Sequence, residues 1–181
     1  YDVYQIAEKM SQELEFNEQE FLSELDQFPQ DNYDFFEGNS LEGYLFPDTY
    51  QFFVDSTPQE VIHRMLTTFE SKAFPFLEPV QNLSRYETLI LASIVQKEVK
   101  TANDKRKAAG VFLNRLAIDM PLQSDATVNY VVREGRAQAT YEDLEIDSPY
   151  NSYQKQGLPP TPITNPGQQA IKATVDYANH E

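Results

Sequence analysis

The stretch LILASIVQKEVK, residues 89–100, decides how the chain is read. A helix turns about 100° per residue, so its faces can be assigned from spacing alone. Leu91, Ile94, Val95 and Glu98 fall on one stripe at i, i+3, i+4 and i+7, while Gln96, Lys97 and Lys100 share the polar side. The spacing therefore sets a carboxylate on the apolar side of a helix. An acid that served only solubility would belong among the lysines. Two readings stay open. Glu98 could form a buried salt bridge, for instance to Arg106 or Arg115. Alternatively, Leu, Ile and Val desolvate it, which disfavours the charged form. A carboxyl protonated near neutral pH can give a proton to a leaving oxygen and later take one back. Glycosidic bond cleavage needs such a group.

Ser84 and Glu87 form a capping-box pattern that opens this helix, which assigns Glu87 a local role although it too projects toward the apolar side. Outward from it, the same logic predicts helices over about 2–14 and 17–28, the second capped by Asn17 and Glu20, with Pro29 beyond its end. Thr57, Pro58 and Glu60 open a helix to about residue 72. Another runs from Asn103 or Asp104 to Ile118, and a last one covers about 166–178. Gly110 inside the 103–118 helix costs about 1 kcal/mol relative to Ala, which points to a close approach of another backbone there. TYQFFV, 49–54, is rich in β-formers and reads as a strand. The predicted class is α+β, mainly helical with a small sheet. From 119 onward the chain is rich in Pro, Gly, Asn and Tyr, a composition more typical of a binding surface than of a linker.

The chain has 181 residues, enough for one domain with a core and a small subdomain. Its 11 Tyr and 12 Phe argue against disorder. Having no cysteine, it has neither a disulfide framework nor a thiolate metal site. The formal charge is −15, and residues 1–48 hold 13 acids against one Lys. That imbalance argues against a nucleic acid partner, which needs a basic face, and reads as a solvated surface. No apolar run approaches a bilayer span. The opening, YDVYQIAEKM, fits a segment of a longer protein.

Neither His63 nor His180 has a partner at metal-ligand spacing, so no metal and no cofactor is expected. No phosphate-cradling glycine loop occurs, and Lys97 lies at i+4 from Ser93, the wrong spacing for a Ser–Lys nucleophile. Carboxylate chemistry is what is left. Gln123, Asp125, Thr127, Tyr150, Asn151 and Tyr153 suit sugar hydroxyls and sugar faces. Each also has a structural reading: Asn151 could hold a turn, and Asp125 could cap a helix from Thr127 to Val132.

Four blocks taken together, LEGYLFPDTYQF (41–52), LILASIVQKEV (89–99), AAGVFLNRLAIDMPLQSDATVNYV (108–131) and YNSYQKQGLPPTPITNPG (150–167), resemble the endolytic murein transglycosylases, the MltG or YceG-like family. The resemblance implies that residues 1–40 are part of a LysM-like subdomain and 41–181 the catalytic domain. It implies that Glu98 is the single catalytic acid and base, that Gln123, Asp125, Thr127, Asn151 and Tyr153 line a sugar groove, and that Glu42 lies beside it. The implied reaction cuts the bond between N-acetylmuramic acid and N-acetylglucosamine within glycan strands, leaving 1,6-anhydro ends. The implied setting is a membrane-anchored parent, its anchor outside this chain, acting on the wall side near peptidoglycan synthases. Many family members carry Glu where this chain has Gln96, on the polar side. Two other readings are a non-catalytic glycan-binding or scaffold module, and a hydrolytic muramidase in which Asp125 or Asp48 activates water.

Overall fold

The computed structural model describes residues 1–134 and 138–178. In chain order its helices are α1 (Val3–Glu13), α2 (Glu18–Gln27), α3 (Pro58–Lys72), α4 (Arg85–Glu98), α5 (Ala102–Ala117), α6 (Asp125–Val132), α7 (Tyr141–Leu144) and α8 (Gln168–Ala178), with short 3-10 turns at Gln30–Asn32 and Phe74–Phe76. The caps account for most of the boundaries. Asn17 with Glu20, Thr57 with Glu60 and Ser84 with Glu87 each make reciprocal capping boxes that satisfy otherwise unpaired N–H groups.

No β-strand occurs among the described residues, so the expected α+β class is corrected to all-α. TYQFFV runs extended but has no ladder partner; Val54 accepts one backbone hydrogen bond, from Glu15 N–H at 2.9 Å. The Tyr50 and Phe52 rings stack at 5.7 Å and pack against the helical core. β-propensity largely measures fit to a half-buried surface. Here helices supply that surface.

Two apolar clusters hold the molecule. The first gathers Ile6, Phe21, Leu25, Leu45, Ile62 and Phe69, drawing on both sides of position 40. The second packs α4, α5 and α8 through Leu91, Ile94, Leu113 and Val175. Helix α4 is their shared wall, since Leu89 and Ala92 face the first cluster and Leu91, Ile94 and Val95 the second. Every residue from Thr88 to Val95 is buried. Its polar members are satisfied: Thr88 donates to Ser84 O at 2.9 Å, and Ser93 donates to Ile90 O at 2.7 Å while accepting from Ile163 N–H at 3.0 Å. Gly110 lets α5 meet α8, but through a ring and not a backbone: a Cβ there would lie 2.2 Å from Tyr177 Cζ.

Asn165, buried, ties three segments together. Its Oδ1 accepts from Gly43 N–H and Leu45 N–H, both at 2.8 Å, and its Nδ2 donates to Glu42 Oε1 at 2.9 Å and Tyr1 O at 3.0 Å. The turn it holds needs glycine, because Gly43 has φ +95° and a Cβ would sit 2.5 Å from Pro162. Asn165→Ala strands two buried N–H groups and removes a donor from a buried carboxyl. The expected cost is about 2–4 kcal/mol in urea unfolding; a loss within experimental scatter would show that this bridge does not hold the fold.

Candidate active site

An open cleft of about 1070 Å³ runs between α1, the end of α4 and the start of α6. Glu98 is the last residue of α4, and Val99 leaves the helix with extended backbone. The stripe runs on from Leu91, Ile94 and Val95 to Glu98, but the core ends at Val95, and Lys97 from the expected polar side lines the same cleft. One turn further along the same face is cleft. Glu98 is therefore exposed, which corrects the expectation of a carboxylate enclosed by Leu, Ile and Val. It makes no ion pair among the described residues. Arg106 is exposed. Arg115 is engaged elsewhere, donating to Leu122 O, to Pro121 O at 3.4 Å and to Gln123 Oε1 at 3.3 Å.

What holds Glu98 is Ser124, whose hydroxyl donates to Oε1. Ser124 occupies the N-cap position of α6, where a serine side chain ordinarily accepts from the helix N–H groups. It makes no such cap bond here, because its hydroxyl is turned to Glu98. Its backbone is fixed instead, with Ser124 N–H donating to Ser152 Oγ at 3.0 Å and Ser124 O accepting from Thr127 Oγ1 at 2.8 Å.

The other candidate residues separate into cleft and scaffold. Gln123, Asp125 and Tyr153 line the cleft with Glu98. Gln123 is held at φ +53°, a conformation costly for a side-chain-bearing residue, by its N–H bond to Ser152 O at 2.9 Å. Asp125 is the first residue of α6, not its cap, and accepts from the Tyr153 hydroxyl at 2.5 Å. Burial first, then Asp125, pushes the Tyr153 phenol up to about 12. Thr127 is fully buried and bonds Ser152 Oγ at 2.8 Å. Asn151 is buried and holds a turn, its Nδ2 donating to Leu144 O and Ile146 O, each at 2.9 Å. Asp48 lies outside the cleft, paired with Lys72. His63 sits exposed on α3 with Nδ1 2.5 Å from the Tyr33 hydroxyl; His180 falls outside the described residues. Gln96 is half-buried, not free on a polar face, and its Oε1 accepts from Lys105 Nζ at 3.3 Å and Gly167 N–H at 3.2 Å.

Sequence reasoning passed over Ser124 and Tyr130. Tyr130 lines the cleft and donates to Glu42 Oε2 at 3.3 Å. Glu42 itself lies behind the cleft wall at 1% exposure, where it also accepts from Val3 N–H at 3.0 Å. It is thus a bracket joining α1, α6 and the Asn165 turn.

The frame is that of a known structural class. A crystal structure of a yceG-like protein from Listeria monocytogenes superposes with a TM-score of 0.81 at 32% identity, over 97% of this chain and 63% of that one. The YceG-like family profile matches residues 1–181, and the chain belongs to this family. An endolytic murein transglycosylase of Bacillus subtilis is 35% identical over 94% of this chain and 52% of its own length. One from Streptococcus pneumoniae is 38% identical over 78% of this chain and 27% of its own. The chain thus spans about half, or less, of the curated relatives it matches.

Burial pushes the Glu42 carboxyl up to about 8, the Val3 N–H and the Tyr130 hydroxyl opposing only in part. In the unfolded chain such a group titrates near 4.3. Its proton therefore favours the fold fully at low pH, and that contribution is lost as pH rises through about 8. The stability of the parent protein relative to Glu42→Gln, followed by denaturation at several pH values, should fall as pH rises from about 5 to 8. A pH-independent difference would contradict this assignment.

Proposed function

We propose that the chain is the glycan-cutting part of an endolytic murein transglycosylase and that Glu98 is its general acid and base. What carries this reading is one exposed carboxylate, with no ion pair among the described residues, positioned by a hydroxyl in a cleft with polar and aromatic walls. Two relatives more than a third identical to the chain bear that name.

In this mechanism the strand lies along the cleft with the bond between N-acetylmuramic acid and N-acetylglucosamine beside Glu98. Ser124 holds Oε1, which leaves Oε2 for the substrate. Protonated Glu98 gives its proton to the departing glycosidic oxygen as the bond to C1 breaks. The resulting carboxylate takes the proton from the muramoyl O6, and O6 closes on C1 to form the 1,6-anhydro ring. No water is added, and atoms and charges balance with one protein group. An open cleft is compatible with this chemistry, since an intramolecular nucleophile enjoys an effective concentration of about 10⁵–10⁸ M over a free one. The bound glycan itself supplies the desolvation that the exposed Glu98 otherwise lacks. Gln123, Asp125 and Tyr153 contact sugar hydroxyls and rings; Thr127, Asn151 and Glu42 shape the walls from behind. The hydrolytic alternative needs Asp125 as a base for water; in the reading proposed here Asp125 instead holds the Tyr153 hydroxyl in the cleft wall.

The reading sets the protein on the wall side of the membrane, beside the peptidoglycan synthases that supply nascent strands. No helix among the described residues is long and apolar enough to cross a membrane.

With uncrosslinked glycan strands, Glu98→Gln should lower the cutting rate by roughly 100-fold or more, with little change in stability because the side chain is exposed. Equal rates for the two proteins would remove Glu98 from the mechanism, and binding without cutting by either would favour a non-catalytic module. Ser124→Ala should cost about 10-fold or more, the worth of a hydrogen bond to a charged group. It should leave the melting temperature nearly unchanged, since the hydroxyl caps no helix.

A further inference from the structure

The cleft continues well past Glu98. Asp125, Ala126, Asn129, Tyr130 and Arg133 line it from one side of α6, so it follows that helix for roughly 12 Å, further than one sugar ring reaches. At its far end Tyr4 and Gln5 of α1 stand opposite Asn129 and Arg133. Arg133 closes α6 with φ +58°, a left-handed conformation that glycine adopts freely and a residue with a side chain only at a cost. An arginine kept where glycine fits better points to a use for its side chain. Its guanidinium lies over the Tyr4 ring, 3.3 Å from the centroid, and its Nε donates to Tyr130 O at 3.4 Å. Both walls are fixed from behind, since Glu42 accepts from Val3 N–H at 3.0 Å and from the Tyr130 hydroxyl at 3.3 Å.

We infer that the far end of the cleft is a second sugar subsite, in which Tyr4, Asn129 and Arg133 hold an N-acetylhexosamine ring of the strand beyond the pair joined at the cut bond. This rests on the proposed glycan substrate. A pyranose ring has an apolar face and a polar rim. The ledge formed by the stacked Tyr4 ring and guanidinium suits the face. The Asn129 amide and the N–H groups in the guanidinium plane suit the rim hydroxyls and the acetamido carbonyl. Asp2, Glu8 and Glu18 line the same cleft, which favours a neutral ring there over the carboxylates of a stem peptide. Filling this subsite takes additional strand on that side of the cut bond. The cleft therefore selects strand interiors, whether or not the muramoyl units carry peptides.

The experiment measures binding to the Glu98→Gln protein, which does not depend on turnover. The probes are a disaccharide, a tetrasaccharide and an octasaccharide of the glycan, each with and without stem peptides. Affinity should rise about tenfold or more from the disaccharide to the octasaccharide. Adding Arg133→Gly or Tyr4→Leu should remove most of that gain, and Tyr4→Phe should keep it. Glycine suits the backbone at 133, so a loss of binding without a fall in melting temperature separates contact with the strand from support of the fold. A gain that survives both Arg133→Gly and Tyr4→Leu, no gain with length, or a loss confined to peptide-bearing strands would overturn the inference. Cutting is then followed with Glu98 intact. Long strands bound with this gain but never cut would refute the proposed catalysis and leave the subsite standing. Short and long strands bound and cut alike would refute the subsite and leave the catalysis standing.

Discussion

Helix α4 is buried on every side from Thr88 to Val95, and the rest of the fold is arranged around that constraint. A helix enclosed all round cannot present a solvent face, so its neighbours must cover it. The first cluster closes over Leu89 and Ala92, while α5 and α8 close over Leu91, Ile94 and Val95. Only the last turn escapes. There Lys97 and Glu98 emerge together into the cleft. The enclosed helix therefore carries Glu98 at its tip, and the carboxylate is anchored by the core without being inside it.

Around that tip the cleft is assembled from segments distant in sequence. Asn165 binds the 42–45 turn, and Glu42 binds α1 and Tyr130, so the wall made by α1 is bolted to the wall made by α6. Ser152 and Thr127 stitch the 150s loop under the start of α6. The result positions Ser124 against Glu98 and Tyr153 against Asp125. Preorganisation of this kind suits a reaction in which the substrate brings its own nucleophile. The protein must then position, donate one proton and accept another.

Much of the frame was legible because its signals are local. Asn17, Thr57 and Ser84 each lie three residues before a Glu, and a capping box needs nothing beyond that spacing. The stripe through Leu91, Ile94 and Val95 leads along the helix to Glu98. It could not show where along the helix the core stops, since that depends on how far α5 and α8 reach. TYQFFV misled for a related reason: its β-formers wanted a half-buried surface, and helices provided one. Ser124 was illegible because its partner lies 26 residues away and nothing in its local sequence points to Glu98. Glu42 was read as a groove residue when its three donors come from Val3, Tyr130 and Asn165, contacts that only the folded chain brings together.

The central claim is that the muramoyl O6, and not water, takes the place of the leaving sugar, with Glu98 as the only protein group that moves protons. Digestion of glycan strands in ¹⁸O-labelled water, with masses read at the newly formed muramoyl ends, tests it directly. Ends one water lighter than hydrolysis products and free of label are the expected result. Labelled reducing ends would mean that a water had attacked, and a single-carboxylate, ring-closing mechanism at Glu98 would be contradicted.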